Sequence, residues 1–348
     1  MIKRKKTKQI FVGSVPIGGN APIAVQSMCN TPTWDVKKTV SQIKELEAAG
    51  CEIIRVAVPD KKSADALKEI KQNISIPLIA DIHFDYRLAL ASIENGVDAL
   101  RINTGNIGKE DFIRQVVEAA RKKHIPIRIG VNSGSLEKEF SHLEKVDAMV
   151  ASAMKNVAIL EKYDFDMIKI SLKASDVLTT IEAYEKISEK TDYPLHVGIT
   201  EAGTLKSGLI KSSIGIGAIL LKGIGDTIRV SLTAQPKEEV FAAYELLKSL
   251  KLRNRGVNLI SCPTCGRTKI NLIELAHKVE EIVAPINKPL TIAVMGCPVN
   301  GPGEAKGADI GIAGGIGEGY IFKKGEIIKK VPEQQLLDEF KKELNSMI

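Results

Sequence analysis

Three cysteines late in this 348-residue chain have the types and spacing to hold a metal centre. Cys262 and Cys265 stand at C-x-x-C spacing in Cys262-Pro263-Thr264-Cys265, where one tight turn can bring both sulfurs to the same centre. Cys297 follows the apolar run Leu290–Met295 and opens a glycine-rich stretch, Gly296-Cys297-Pro298-Val299-Asn300-Gly301-Pro302-Gly303-Glu304. A closed structural zinc site takes four Cys or His ligands, and the nearest histidine, His277, falls on an expected helix. A cubane iron–sulfur cluster accepts substitution at one iron. Glu304, seven residues after Cys297, is the candidate for that position. A zinc knuckle or a chance grouping of cysteines is the competing reading of the same spacing.

A second chemistry-bearing set lies on expected strands. Arg55, Arg101, Arg128, Lys169, Lys173 and Arg229 sit in apolar stretches whose in-strand acids are Asp81 and Glu201. Residues two apart on a strand share a face, which groups Arg128 with Asn132, Lys169 with Lys173, and Arg229 with Ser231. Charges inside a packed barrel are costly unless paired or answered by ligand. The excess of bases therefore predicts a polyanion site. An arginine fork donates two parallel hydrogen bonds to phosphate, and a diphosphate is the natural size for several forks. Glu201, in Gly198-Ile199-Thr200-Glu201-Ala202-Gly203, ends a strand as either an acid/base group or an arginine's ion-pair partner. Asp81 and His83 are further candidates for the wall. Cys29 and Cys51 read as buried small residues, and Gly311–Gly319 holds a turn without the lysine of a phosphate loop.

The elements that must position these residues alternate. Strand candidates are Ile23–Met28, Ile53–Val58, Leu78–Phe84, Ala99–Thr104, Ile127–Asn132, Met167–Leu172, Leu195–Thr200 and Thr227–Leu232, with amphipathic helices between them. Eight strands each followed by a helix predict an α/β fold, a (β/α)8 TIM barrel. An open doubly wound sheet would need a glycine-rich first turn that the sequence lacks. Even strands repeat Glu52-x-x-Arg55, Asp98-x-x-Arg101, Asp166-x-x-Lys169 and Asp226-x-x-Arg229. Odd strands start at Pro22, Pro77, Pro126 and Pro194, where proline costs no central ladder bond. A hairpin is expected ahead of the barrel, Gln9–Val15 turning at Gly18-Gly19-Asn20 into Pro22–Met28. Residues 1–252 form the barrel domain on this reading. Residues 253–348 form a small α+β domain with strands Val257–Ser261, Leu290–Met295, Asp309–Ala313 and Gly319–Lys329, and helices Lys269–Val283 and Pro332–Met347. Both cysteine motifs fall at strand ends there.

Composition bounds the class. A hydrophobic content of 44% with 4% aromatics suits an α/β protein built on aliphatic residues and offers few rings for stacking nucleic-acid bases. The net charge of +7 allows an anionic substrate, with nucleic acid as the usual alternative. The basic run Lys3–Lys8 reads as a solvated tail. No apolar stretch long enough for a membrane span and no signal-peptide pattern is present. Five cysteines, three of them in motifs, fit a reducing compartment, the cytoplasm.

The two cysteine motifs, Cys-Pro-x-Cys-Gly-Arg-Thr and Met-Gly-Cys-x-Val-Asn-Gly-Pro-Gly-Glu, resemble those of the 4-hydroxy-3-methylbut-2-enyl diphosphate synthase family. So do Val12-Gly13…Ile17-Gly18-Gly19…Pro22…Val25-Gln26-Ser27-Met28, Ala80-Asp81-Ile82-His83-Phe84, Arg101–Gly108 and Thr200–Gly203, which together span the chain. The resemblance implies a two-domain enzyme of the methylerythritol phosphate route: a TIM barrel followed by a sulfite/nitrite-reductase-like iron–sulfur domain. It would open 2-C-methyl-D-erythritol 2,4-cyclodiphosphate reductively to 4-hydroxy-3-methylbut-2-enyl diphosphate. The family's three Cys and one Glu map onto Cys262, Cys265, Cys297 and Glu304 as ligands of a [4Fe–4S] cluster. Its acid/base role maps onto Glu201, and its substrate contacts onto Arg55, Arg101, Arg128, Asn132, Lys173 and Ser231. Flavodoxin or ferredoxin would supply the electrons. A zinc-stabilised nucleic-acid-binding barrel and a sirohaem-type sulfite or nitrite reductase are the alternatives.

Strand direction adds an expectation about assembly. Barrel strands run toward the active-site face and helices run back, so the eighth helix, Lys237–Lys251, finishes at the opposite face. The hinge Arg253–Gly256 reaches roughly 14 Å when extended, against about 22 Å for that helix. A head-to-tail homodimer is expected, each small domain capping its partner's barrel.

Overall fold

The computed structural model describes residues 2–102, 110–134, 136–298 and 305–348. The chain divides into two compact units, Met1–Arg253 and Asn254–Ile348.

Eight parallel strands form the sheet of the first unit: β3 (Ala24–Met28), β4 (Ile53–Ala57), β5 (Leu78–Asp81), β6 (Ala99–Ile102), β7 (Ile127–Asn132), β8 (Ile168–Lys173), β9 (His196–Val197) and β10 (Thr227–Ile228). They pair in the order β8-β7-β6-β5-β4-β3-β10-β9. A parallel bridge between Ile170 and Leu195 joins the two ends, giving the expected (β/α)8 TIM barrel. A helix follows each strand in turn: α1 (Val36–Ala49), α2 (Lys61–Gln72), α3 (Tyr86–Glu94), α4 (Glu110–Lys122), α5 (Lys145–Glu161), α6 (Val177–Lys190), α7 (Leu205–Leu221) and α8 (Pro236–Ser249).

Local chemistry sets these boundaries. Asp35, Asp60, Asp85 and Asp176 each accept a backbone N–H of the first turn they precede, satisfying a donor that the helix leaves unpaired. Gly50 ends α1 at φ 107°, a left-handed conformation that costs glycine little. Pro77, Pro126 and Pro194 donate nothing, yet their carbonyls accept Ile54, Leu100 and Ile170 N–H and so start the ladders. The repeated acids close the same end of the barrel. Glu52, Asp98 and Asp226 accept the backbone N–H of Val25, Leu78 and Leu195 at 2.8, 2.7 and 2.9 Å. They are engaged there, and the bases three residues on, Arg55, Arg101 and Arg229, meet other acids, Asp81 and Glu239.

Three expectations for the first unit need correction. The hairpin is shorter than expected: β1 (Ile10–Val12) and β2 (Val15–Ile17) turn at Gly13-Ser14, and the segment after Gly18-Gly19 belongs to the barrel. Its Ile10, Val12 and Ile17 pack on Ala24, Ile53, Ile79 and Ala99, plugging the barrel interior with apolar side chains. The Lys3–Lys8 run is not a free tail. Arg4 pairs with buried Asp226 at 3.1 Å, and the Lys5 and Lys8 N–H groups reach Gly223 and Asp192 carbonyls. A charge run carries no sign of the buried acid that will receive it. The last two strands, His196–Val197 and Thr227–Ile228, are far shorter than their apolar runs; at the outer ends of those runs Asp226 accepts Leu195 N–H and Glu239 accepts Leu232 N–H.

The second unit is a five-stranded sheet in chain order: β11 (Asn258–Ser261), β12 (Thr291–Met295), β13 (Ile310–Gly314), β14 (Glu318–Lys323) and β15 (Glu326–Pro332). The first three strands are parallel and the last two antiparallel, so the expected single strand Gly319–Lys329 is a hairpin through Lys324-Gly325. α9 (Leu272–Val283) and α10 (Leu336–Asn345) contribute Leu272, Val279, Phe340 and Leu344 to its core with Ile292, Val294 and Ile310. No helix among the described residues is long and apolar enough to cross a membrane.

Candidate active site

The polar cavity lies at the C-terminal ends of the barrel strands, where barrel enzymes carry their chemistry. Every expected substrate contact lines it: Arg55, Arg101, Arg128, Asn132, Lys173 and Ser231. Asp81, His83, Ser171, Thr200 and Arg229 complete the wall around about 470 Å³ of space, counted out to open solvent.

Strand register explains the convergence. Asp81, Arg101, Arg128 and Lys169 are successive Cα partners across β5, β6, β7 and β8, and Asn132 pairs with Lys173. Two glycines make room for long side chains inside the barrel. A Cβ on Gly130 would lie 2.5 Å from the Arg101 guanidinium, and one on Gly198 would lie 3.0 Å from Lys173 Nζ.

The charge balance is lopsided. Asp81 is buried, 3.2 Å from Arg101 and 3.6 Å from Arg55, with His83 at 3.7 Å. Burial alone would raise its pKa. Arg55, the His83 hydrogen bond, Arg101 and Arg128 together outweigh that and hold the carboxyl well below the usual carboxylate range. Arg229 leans on Glu239 of α8 at 3.4 Å. The Met28 thioether accepts from Arg55 at 2.9 Å. Arg128 and Lys173 have no carboxylate partner among the described residues, and Arg128 Nε and Nη1 are buried without any partner. Burial, then neighbouring arginines, drive both pKa values far down. Arg55 is brought to about 10 by burial, against the pull of Asp81. Such a charge balance favours an anionic ligand.

Glu201 does not line the cavity, although its neighbour Thr200 does. It is exposed on the rim at φ 52°, a backbone conformation that side chains other than glycine adopt at a cost. Cys29 and Cys51 are buried, and burial pushes both thiols up to about 12. Sequence reasoning missed Glu239 and Met28. A glutamate in a helix's first turn reads as a dipole partner, and a methionine reads as core.

The cysteines lie in the second unit. Cys262 and Cys297 follow β11 and β12 at the same end of two neighbouring parallel strands. Cys262 N–H donates to Val294 O, and Gly296 N–H donates to Cys262 Sγ at 3.2 Å. The turn carrying Cys265 is folded back by hydrogen bonds from Thr268 N–H to Cys265 O and from Lys269 N–H to Gly296 O. Cys265 is exposed, and hydrogen bonds led by the Arg267 backbone draw its thiol below the ordinary value. All five cysteines are free. Glu304 lies outside the described residues. Among the described residues no three His, Cys, Asp or Glu side chains already surround one ion. A cubane puts its ligands on different irons, so it does not require them to meet at a point. The soft donor set, the N–H···S bond and the approach of the two loop segments that follow β11 and β12 fit such a cluster.

Comparison with known proteins covers both units. A model of the GcpE TIM-barrel domain matches residues 7–244, and one of the GcpE protein C-terminal domain matches residues 258–346. The chain is 62% identical to the 4-hydroxy-3-methylbut-2-en-1-yl diphosphate synthase (flavodoxin) of Caldanaerobacter subterraneus subsp. tengcongensis, over 100% of this chain and 99% of that one. It is 57% identical to the protein of the same name from Geobacillus thermodenitrificans, over 100% and 94%. Among solved structures, the dihydropteroate synthase of Stenotrophomonas maltophilia aligns with a TM-score of 0.54 at 14% identity, covering 70% of this chain and 97% of that one. That likeness concerns the fold alone. With both units matched by its models and its whole length shared with these relatives, the chain belongs to the GcpE family, that of the 4-hydroxy-3-methylbut-2-en-1-yl diphosphate synthases.

Proposed function

We propose that this protein reduces 2-C-methyl-D-erythritol 2,4-cyclodiphosphate to 4-hydroxy-3-methylbut-2-en-1-yl diphosphate and water, a two-electron step of isoprenoid biosynthesis in the cytoplasm. The observation that carries the reading is the anion-deficient pocket of Arg55, Arg101, Arg128 and Lys173, in a chain with full-length relatives named for that product. The electron donor is a flavodoxin, as those relatives' names state for them.

Arg55, Arg101 and Arg128 hold the diphosphate through charge-assisted hydrogen bonds, and Lys173 and Asn132 complete the cradle with Ser231. Their fixed positive field stabilises negative charge growing on the substrate as its ring opens. Asp81 keeps the Arg55 and Arg101 forks oriented, and Glu239 does the same for Arg229. Glu201, on the pocket rim, holds the proton that a departing oxygen takes. A [4Fe–4S] cluster held by Cys262, Cys265, Cys297 and Glu304 would supply the single electrons that no side chain can carry. The barrel unit thus binds substrate and the C-terminal unit carries the cluster, and two chains pair head to tail so that each cluster serves the other's barrel.

The test is turnover by anaerobically prepared, iron- and sulfide-loaded protein given the cyclic diphosphate and reduced flavodoxin. Protein purified anaerobically without colour, holding zinc and neither iron nor sulfide, would end this reading and favour a zinc-stabilised module.

A further inference from the structure

Beneath the pocket floor lies a second polar layer that the substrate contacts above do not use. Lys169 on β8 is 2% exposed and its ammonium nitrogen has no hydrogen-bond partner. Beside it is buried His196 on β9, whose Nε2 is unpartnered, and elsewhere in the barrel Gln26 on β3 is buried with its amide oxygen and nitrogen both unpartnered. None of the three lines the cavity. His196 is fixed from its other nitrogen, which meets Thr227 Oγ1 at 2.8 Å.

Strand register puts Lys169 directly beside Arg128, which stands beside Arg101, three cations on three adjacent strands. Adjacent strands are about 4.8 Å apart. The charged and titratable groups acting on Lys169 and its layer are Arg128 from β7, Arg55 from β4, His196 from β9, Lys173 from its own strand, and Asp226 ahead of β10. Asp226 is the acid among them, and its oxygens are engaged by Arg4, Thr7 and the Leu195 N–H. Native structures rarely leave several buried polar atoms unpartnered without a functional reason. A positive field with one committed acid is a poor place for an ammonium ion until an anion arrives.

We propose that Lys169 is a proton acceptor built beneath the anion pocket, which takes up a proton from solvent as a diphosphate enters above it. In the empty barrel, burial and then Arg128 bring the Lys169 pKa to about 7, so near pH 8 most of these lysines carry no proton. A bound diphosphate adds negative charge within reach of the same field and offsets Arg128 and Arg55. The protonated form then becomes the stable one. Lys169 is thus a positioning residue: its charge, gained on binding, adds to the positive field that holds the anion without touching it. The idea rests on the diphosphate reading of the pocket, and its test separates the two.

The experiment is calorimetric titration of the anaerobic, cluster-loaded enzyme with the cyclic diphosphate at pH 8. Hepes and Tris are compared because their ionisation enthalpies differ. The dependence of the observed heat on the buffer gives the protons taken up. Wild type should take up between about half a proton and two protons, since Lys173 can contribute as well. Lys169→Met should still bind, with uptake lowered by at least half a proton. Unchanged uptake in Lys169→Met, or none in wild type, overturns the proposal while leaving the diphosphate reading intact. Failure of wild type to bind either the cyclic diphosphate or inorganic diphosphate overturns both. A second measurement covers a variant that does not fold: NMR of wild-type protein carrying 13Cε-labelled lysine. Besides any signal from Lys173, it should show a lysine titrating near pH 7 that moves above pH 9 when the diphosphate is added. No lysine titrating below pH 9 in the free protein overturns the proposal.

Discussion

At the scale of single residues, the site depends on cations without carboxylate partners. Arg128 is the clearest, with two buried nitrogens unpartnered. Arg128→Met should therefore weaken binding of the cyclic diphosphate by about 1.5–3 kcal/mol, the range for hydrogen bonds to charged groups. It should not destabilise the fold, because it removes a buried charge that has no ion-pair partner among the described residues and only a distant pull from Asp81. Calorimetry and a denaturation curve measure the two effects separately. Lys169 has its own signature in stability. Its folded pKa of about 7 lies below the ordinary lysine value, so between about pH 7 and pH 10 the unfolded chain binds more protons than the folded one. Its contribution to stability rises with pH through that window and is least favourable below it. Relative to Lys169→Met, wild type should be at its greatest disadvantage near pH 7, by a few kcal/mol on the order of the shift. The gap should close toward pH 10. Equal differences at both ends, in parallel urea titrations, would mean that Lys169 stays charged throughout.

At the scale of elements, strands of the barrel are shaped around long side chains. β7 carries Gly130 where the Arg101 guanidinium crosses it, with 2.5 Å to an added Cβ. The obstructed atoms are the far end of a flexible side chain, so Gly130→Ala should fold. The guanidinium must move, however, and its hold on Asp81 with it. The expected outcome is a loss of diphosphate affinity approaching that of removing Arg101, with the unfolding midpoint nearly unchanged. A variant that binds as wild type would mean that Arg101 has a second productive position. At the other end of the barrel, β1 and β2 fill the interior with Ile10, Val12 and Ile17. The polar layers thus rest on an apolar plug.

At the scale of the whole molecule, the proposed chemistry needs two units. Glu201 lies in the first and Cys297 in the second, joined through the short segment after α8. Glu201→Gln alone should retain cluster and substrate affinity and lose roughly 10²–10⁴-fold in turnover, the usual contribution of a general acid–base group. Cys297→Ser should be inactive through loss of the cluster. Mixing the two inactive variants, dissociating and reassociating them, should restore activity if the site is shared between chains. Each mixed dimer would hold one intact barrel facing one intact cluster. Proven mixed dimers without activity would place the whole reaction within one chain.

The sequence determined the kinds of chemistry and the order of elements. Alternating apolar strands and amphipathic helices fix a (β/α)8 barrel because each pattern has one face to bury, and the barrel is the closed solution for eight such pairs. The C-x-x-C spacing is likewise local, since one turn suffices to bring its sulfurs together. Period-two alternation put Arg128 with Asn132 and Lys169 with Lys173, because pleating is a property of the strand itself. What lies opposite was decided only by tertiary structure. Glu239 reaches Arg229 from a helix ten residues on, Met28 accepts from Arg55 alongside Asp81, and Arg4 crosses the chain to Asp226. Depth was also hidden. Lys169 and Lys173 share a strand face, yet only Lys173 lines the pocket while Lys169 is sealed beneath it. Burial, unlike periodicity, depends on what every other strand brings to the same layer, and that sum exists only once the barrel has closed.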